Sequence, residues 1–117
     1  MAQPATRIGD ADVSHCSGMV RAKGASTVFV NNIPWSRQGD VNTTHKLPGV
    51  PCPSHAAAIA TGSGTVIVEG KGAGRIGDAI SGCTSGAAGS PNVFAGGGPR
   101  GLPPVVEFVL SYLEKLI

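Results

Sequence analysis

Arg-x-Gly-Asp occurs three times in this chain, at Arg7 to Asp10, Arg37 to Asp40 and Arg75 to Asp78, so any fold has to accommodate three copies of one tetrapeptide. Five residues beyond each Asp stands a metal-ligand type: His15, His45 and Cys83. The spacing predicts three repeats whose loops converge on one metal. The middle copy opens the densest loop of the chain, Arg37 to His55, which carries His45, Cys52 and His55 on a polar backbone broken by Pro48, Pro51 and Pro53. Such a loop cannot be a helix and offers little to a core.

The strands repeat as well. Ser26-Thr27-Val28-Phe29-Val30 is β-branched and aromatic and ends in the turn pair Asn31-Asn32. Gly62 to Val68 ends likewise at Glu69-Gly70, and Phe29 and Ile67 each lie eleven residues before Asp40 and Asp78. A third copy runs from Gly89 to Ala95 with a turn at Gly96-Gly97, but no Arg-x-Gly-Asp follows it. Its return strand is expected to be the N-terminal segment Pro4 to Asp10, which has no strand of its own before it. The result is a mainly β ring of three hairpins with pseudo-threefold symmetry and no free strand edges.

Composition explains why such a ring needs a pin. The chain has five aromatics, Phe29, Trp35, Phe94, Phe108 and Tyr112, against 18 glycines and nine prolines, and much of its apolar fraction is alanine and valine, which bury little area each. A structural zinc contributes on the order of 10 kcal/mol to folding and offsets a thin core. Three cysteines beside three histidines fit a metal site better than a disulfide framework, with a disulfide between two of them left open. The net charge of +2 and the scattered Lys and Arg argue against a nucleic-acid surface. The first residues lack the apolar run of a secretory signal and no segment approaches the ~20 apolar residues of a membrane span, so assembly in the cytoplasm is expected.

The ligands are expected to be His15, His55 and Cys83 across the axis, fourteen, twelve and eleven residues before Phe29, Ile67 and Phe94. His45, in a second loop ten residues longer than the others, takes the remaining tetrahedral corner. Three imidazoles and one thiolate suit zinc or iron(II), with zinc the default. Cys16 should point away along an extended chain, whereas Cys52, three residues before His55, competes for the place of His45 or His55. The Gly-Asp pairs read as turn formers, the Asp bonding amides two residues on. Gly72-Ala73-Gly74-Arg75-Ile76-Gly77 matches a dinucleotide fingerprint, but neither a helix nor a suitably placed acidic residue follows. The glutamates, Glu69, Glu107 and Glu114, all lie outside the ligand loops, and a saturated four-ligand site holds no activated water, so no enzyme is expected.

Residues 1–98 are read as this repeat domain and 99–104 as a linker. Val105 to Ile117 is an amphipathic helix with Val105, Val109, Tyr112, Leu113 and Leu116 on one face, too short to stand alone in water.

Pro4-Ala5-Thr6-Arg7-Ile8-Gly9-Asp10 resembles the Pro-Ala-Ala-Arg-x-Gly-Asp motif of the PAAR-repeat proteins, and Gly89-Ser90-Pro91-Asn92-Val93-Phe94 resembles their Gly-Ser-x-x-Val-hydrophobic strand. The likeness covers residues 4 to about 97, departing at Thr6, at Trp35-Ser36 and at Gly72 to Gly74. It implies a small cone that caps the trimeric β-helical spike of a contractile phage tail or a type VI secretion system, one chain per trimer. Histidine and cysteine would hold zinc near its apex. The tip would be assembled in the bacterial cytoplasm, delivered through the target cell envelope and pierce the target membrane transiently. The helix lies outside the family's core; an effector or tail component that docks through it is the partner it would serve, and a free-standing zinc-binding adaptor is the competing function. Some 20 residues past Gly97 are too few for an enzymatic effector domain.

Overall fold

The computed structural model describes residues 2–46 and 54–97. The expected linker, the expected C-terminal helix and Cys52 lie outside the described residues. Within them every repeated tetrapeptide folds alike. Asp10, Asp40 and Asp78 each accept the backbone N–H of the preceding Arg at 2.8 Å. Each Arg also folds its Nε and Nη2 onto the two carboxylate oxygens. The intervening glycines take φ of 89°, 90° and 89°, a left-handed conformation in which a side chain is strained. The Asp therefore reaches three residues back rather than two forward, because the glycine turns it over its own Arg. There it gains charge-assisted bonds as well as an amide.

The strands are short. β1 is Gln3–Pro4, β2 Phe29–Val30, β3 Ile33–Pro34, β4 His45–Lys46, β5 Ser54–His55, β6 Ile67–Val68, β7 Lys71–Gly72 and β8 Phe94–Ala95. β2 and β3 join through Asn31-Asn32 at φ 54° and 66°, and β6 and β7 through Glu69-Gly70 at 51° and 79°, the positive values that two-residue hairpin turns demand. β8 pairs with β1, Phe94 opposite Pro4 as Phe29 is opposite Pro34 and Ile67 opposite Gly72, so the N-terminal segment closes the third hairpin.

Two-residue ladders replace the longer expected strands because the remaining backbone groups bond between repeats. Arg7 bridges Trp35, Arg37 bridges Ala73, and Arg75 bridges Ala5. Each bridge links one return segment to the next, and the third leads back to the first. Inside them Ser36 N–H donates to Thr6 O at 3.0 Å, Gly74 N–H to Ser36 O at 2.8 Å and Thr6 N–H to Gly74 O at 3.1 Å, a closed ring of three hydrogen bonds. Gly74 belongs there for space: a Cβ would sit 2.6 Å from Ser36 O and 2.9 Å from Ile59 Cδ1. The main core lies beside this ring and is as thin as the composition suggested, built from Ala5, Ala25, Val30, Trp35, Val68, Ala73 and Ala95. Trp35 satisfies its indole N–H on Gly74 O at 2.9 Å.

Candidate metal centre

A second tier of bridges continues from each tetrapeptide: Ala11 with Val20, Val41 with Ala58, Ala79 with Ser85. Their connecting loops carry the ligand candidates. β4 and β5 add an antiparallel pair in the longer second loop, which sets His45 directly opposite His55. In the third loop Cys83 N–H bonds Ile80 O at 3.0 Å and Gly82 takes φ 60°, a tight turn that presents the thiol.

All four predicted residues, His15, His45, His55 and Cys83, come together, with one ligand atom from each within 4.8 Å of the others. His15 Nε2 lies 3.0 Å from Cys83 Sγ and 3.1 Å from His45 Nε2; His45 Nε2 is 3.2 Å and His55 Nε2 3.6 Å from the same sulfur. A tetrahedral ion with metal–nitrogen bonds near 2.0–2.1 Å and a metal–sulfur bond near 2.3 Å needs nitrogen–nitrogen separations of about 3.3 Å and nitrogen–sulfur separations of about 3.6 Å. The His15–His45 separation of 3.1 Å and the His55–Cys83 separation of 3.6 Å come close to these values, and the mixture of imidazole and thiolate suits a zinc-like ion.

The electrostatics of His55 favour its neutral imidazole. Burial first, then the neighbouring His45 and His15, pushes the His55 pKa below its ordinary value. Burial likewise pushes the Cys83 thiol up, and Asp12 adds to the rise, while a hydrogen bond from Asn42 and the charge of Arg21 oppose it. Nδ1 of His45 lies 2.7 Å from Thr43 O, so its proton is held there and Nε2 presents a lone pair to the cluster. His15 differs. Its Nδ1 accepts the Cys16 N–H at 3.0 Å, which leaves an Nε2 proton facing the Cys83 sulfur, a contact that a metal ion would have to replace.

Of the rival cysteines, Cys16 is disulfide-bonded, which takes it out of the ligand set, and Cys83 carries a free thiol. Cys52 lies outside the described residues. The sequence reading missed the layer under the ligands. Two residues beyond the tetrapeptide Asps stand Asp12, Asn42 and Ile80, bridged to Gly86, Arg21 and Ile59 respectively. Asp12 and Arg21 form an ion pair with both side chains fully buried, and Asn42 Nδ2 donates to Asp12 Oδ2 at 3.1 Å. The common offset from each Asp was the available signal; charged residues are so rarely buried that nothing else in the sequence marks Arg21 and Asp12.

The family model for the PAAR motif matches residues 9–81, more than half of the chain. A search of curated proteins finds no match.

Proposed function

This chain belongs to the PAAR-motif family, and from that premise we propose that it is the structural tip that caps and sharpens a trimeric β-helical spike. The family match indicates a spike-tip role in a phage tail or secretion system. In our reading the chain is a pseudo-threefold cone, its four-ligand apex holds one zinc ion, and its work is mechanical piercing rather than catalysis.

One observation carries the proposal. Phe29, Ile67 and Phe94 occupy the same position in three hairpins and are 55%, 49% and 53% exposed, while Val30, Val68 and Ala95 beside them are buried. Burying one such side chain in a contact contributes roughly 1.5–3 kcal/mol, and three matching ones on a single chain suit a partner with true threefold symmetry. A single chain at the axis also avoids the crowding that three equal chains would meet there. Were a metal bound, it would supply rigidity at the apex; His15, His45, His55 and Cys83 would hold it, and the thiol of Cys83 would give up its proton on binding.

Co-purification with the trimeric spike protein of the same system tests the reading. Phe29→Asp combined with Phe94→Asp should abolish capture by the spike while leaving metal content unchanged. Undiminished capture by that double variant would remove the proposed contact surface.

A further inference from the structure

Of the four ligand candidates His45 alone is buried, at 3% exposure. Its own strand cannot account for that placement. β4 is two residues long, and its ladder with β5 has two rungs, His45 opposite His55 and Lys46 opposite Ser54. A two-stranded ladder by itself is marginal in water, so the position of His45 has to be set from elsewhere.

It is set from the loop that carries His15. Ahead of His45, Thr43 N–H donates to Val20 O at 2.9 Å and Val20 N–H returns to the Thr43 hydroxyl at 3.2 Å. Behind it, Lys46 N–H donates to the Ser17 hydroxyl at 2.8 Å. Ser17 and Val20 stand two and five residues after His15, so the His45 strand is stitched on both sides to the loop of a partner ligand. The same stitching aims the ring. Thr43 O faces His45 Nδ1 at 2.7 Å, and because a carbonyl only accepts, the ring proton lies on Nδ1 and the lone pair on Nε2. Nε2 is the atom 3.1 Å from His15 Nε2 and 3.2 Å from Cys83 Sγ. His15 shows the opposite case, since its Nδ1 faces an amide donor, the Cys16 N–H.

We propose that Thr43 and Ser17 are positioning residues of the metal centre, their hydroxyls fixing the His45 strand against the His15 loop so that Nε2 of His45 points at the ligand cluster before any ion arrives. The inference rests on the reading that the four ligands hold a metal, and it adds which side chains hold one ligand in place. A ligating histidine whose second ring nitrogen donates to a carbonyl has its tautomer and orientation fixed, and disturbing such outer partners typically weakens metal binding by about 10–100-fold.

The full-length chain, labelled with nitrogen-15 and loaded with cadmium-113, provides the test. In wild type the His45 ring should carry a slowly exchanging proton on Nδ1 with and without metal, and the cadmium should couple to Nε2. Thr43→Val combined with Ser17→Ala removes both hydroxyls. That variant should still take up one equivalent of metal but surrender it to a competing chelator about 10–100-fold more readily, and its Nδ1 proton should exchange faster. Thr43→Ser, which keeps the hydroxyl, should behave as wild type. A double variant that melts lower when stripped of metal, yet keeps the wild-type affinity and ring proton, assigns the hydroxyls to the fold alone and overturns the inference. Should the double variant fail to fold, Ser17→Ala alone is put to the same chelator competition, and unchanged retention overturns the role of Ser17. A wild-type chain that binds cadmium through Nδ1 of His45 overturns this inference alone, whereas one that binds neither cadmium nor zinc overturns the metal reading with it.

Discussion

Cys83 and His55 are displaced in opposite directions from their ordinary titration, and both displacements bear on when the centre is competent. Burial disfavours charge on each, so His55 protonates below 6.5 and Cys83 ionises above 9.0. In the metal-stripped chain the unfolded state binds the extra proton as pH falls through 6.5, and it loses its thiol proton first as pH rises past 9.0. Stability should therefore fall on both sides of a plateau between these values. Urea midpoints measured across pH on chelator-treated protein check this; a midpoint still rising above pH 9 would contradict the burial of the thiol. In the loaded protein acid competes with metal, so lowering pH should release it. Cys83→Ala and His45→Ala should each lower the melting temperature by roughly 20 °C, the size of shift that losing a few kcal/mol of metal binding causes in a domain this small. Val13→Ser, at a half-exposed position, should change it by less than about 3 °C.

Between the repeats, backbone rings and turn-to-turn clasps take the place of long strands. Gly74→Ala should cost about 3 kcal/mol, because its Cβ meets the Ser36 carbonyl within the three-bond ring and neither side can retreat. Gly70→Asn should be nearly neutral: a Cβ added at Gly70 would meet nothing within 4 Å, and Asn32 already takes φ 66° at the matching place. Denaturant titration separates the two. In two repeats a serine hydroxyl caps the strand entry, Ser63 accepting Val66 N–H at 2.9 Å and Ser90 accepting Val93 N–H at 3.0 Å. Ala25 stands there in the first repeat, and Glu69 from the neighbouring turn supplies the acceptor instead, bonding Thr27 N–H at 2.8 Å, Ser26 N–H at 3.3 Å and the guanidinium of Arg37. The Thr27 hydroxyl bond, ahead of the backbone amides, holds the Glu69 carboxyl below its ordinary range. Glu69→Gln should lower the urea midpoint at neutral pH, and Ala25→Ser should restore part of the loss. The difference from wild type should persist above pH 4.5 and vanish as pH falls through the folded value. The hairpin turns and the closure of β8 by β1 were legible because equal offsets from Asp10, Asp40 and Asp78 carry them. The bridges Arg7 to Trp35, Arg37 to Ala73 and Arg75 to Ala5 were not, since a single pairing between distant residues leaves no periodic trace.

Across the whole molecule the two ends of each repeat have opposite tasks. The four ligand candidates gather on the loops that follow each Asp, whereas Phe29, Ile67 and Phe94 leave apolar area on the hairpins. That His15, His45, His55 and Cys83 would gather was readable from spacing, because His15, His45 and Cys83 share one offset and His55 lies in the longer loop. The layer of Asp12, Arg21 and Asn42 was hidden, because its burial arises only when neighbouring repeats meet. The proposed cone, pinned by a metal and seated on a trimer, makes one joint demand on composition and stoichiometry. Native mass measurement of the chain co-expressed with the trimeric spike proposed as its partner tests that demand most directly. The expected mass is three spike chains, one copy of this chain and one zinc ion; three copies of this chain per spike, or a capped spike with no metal, would contradict the account.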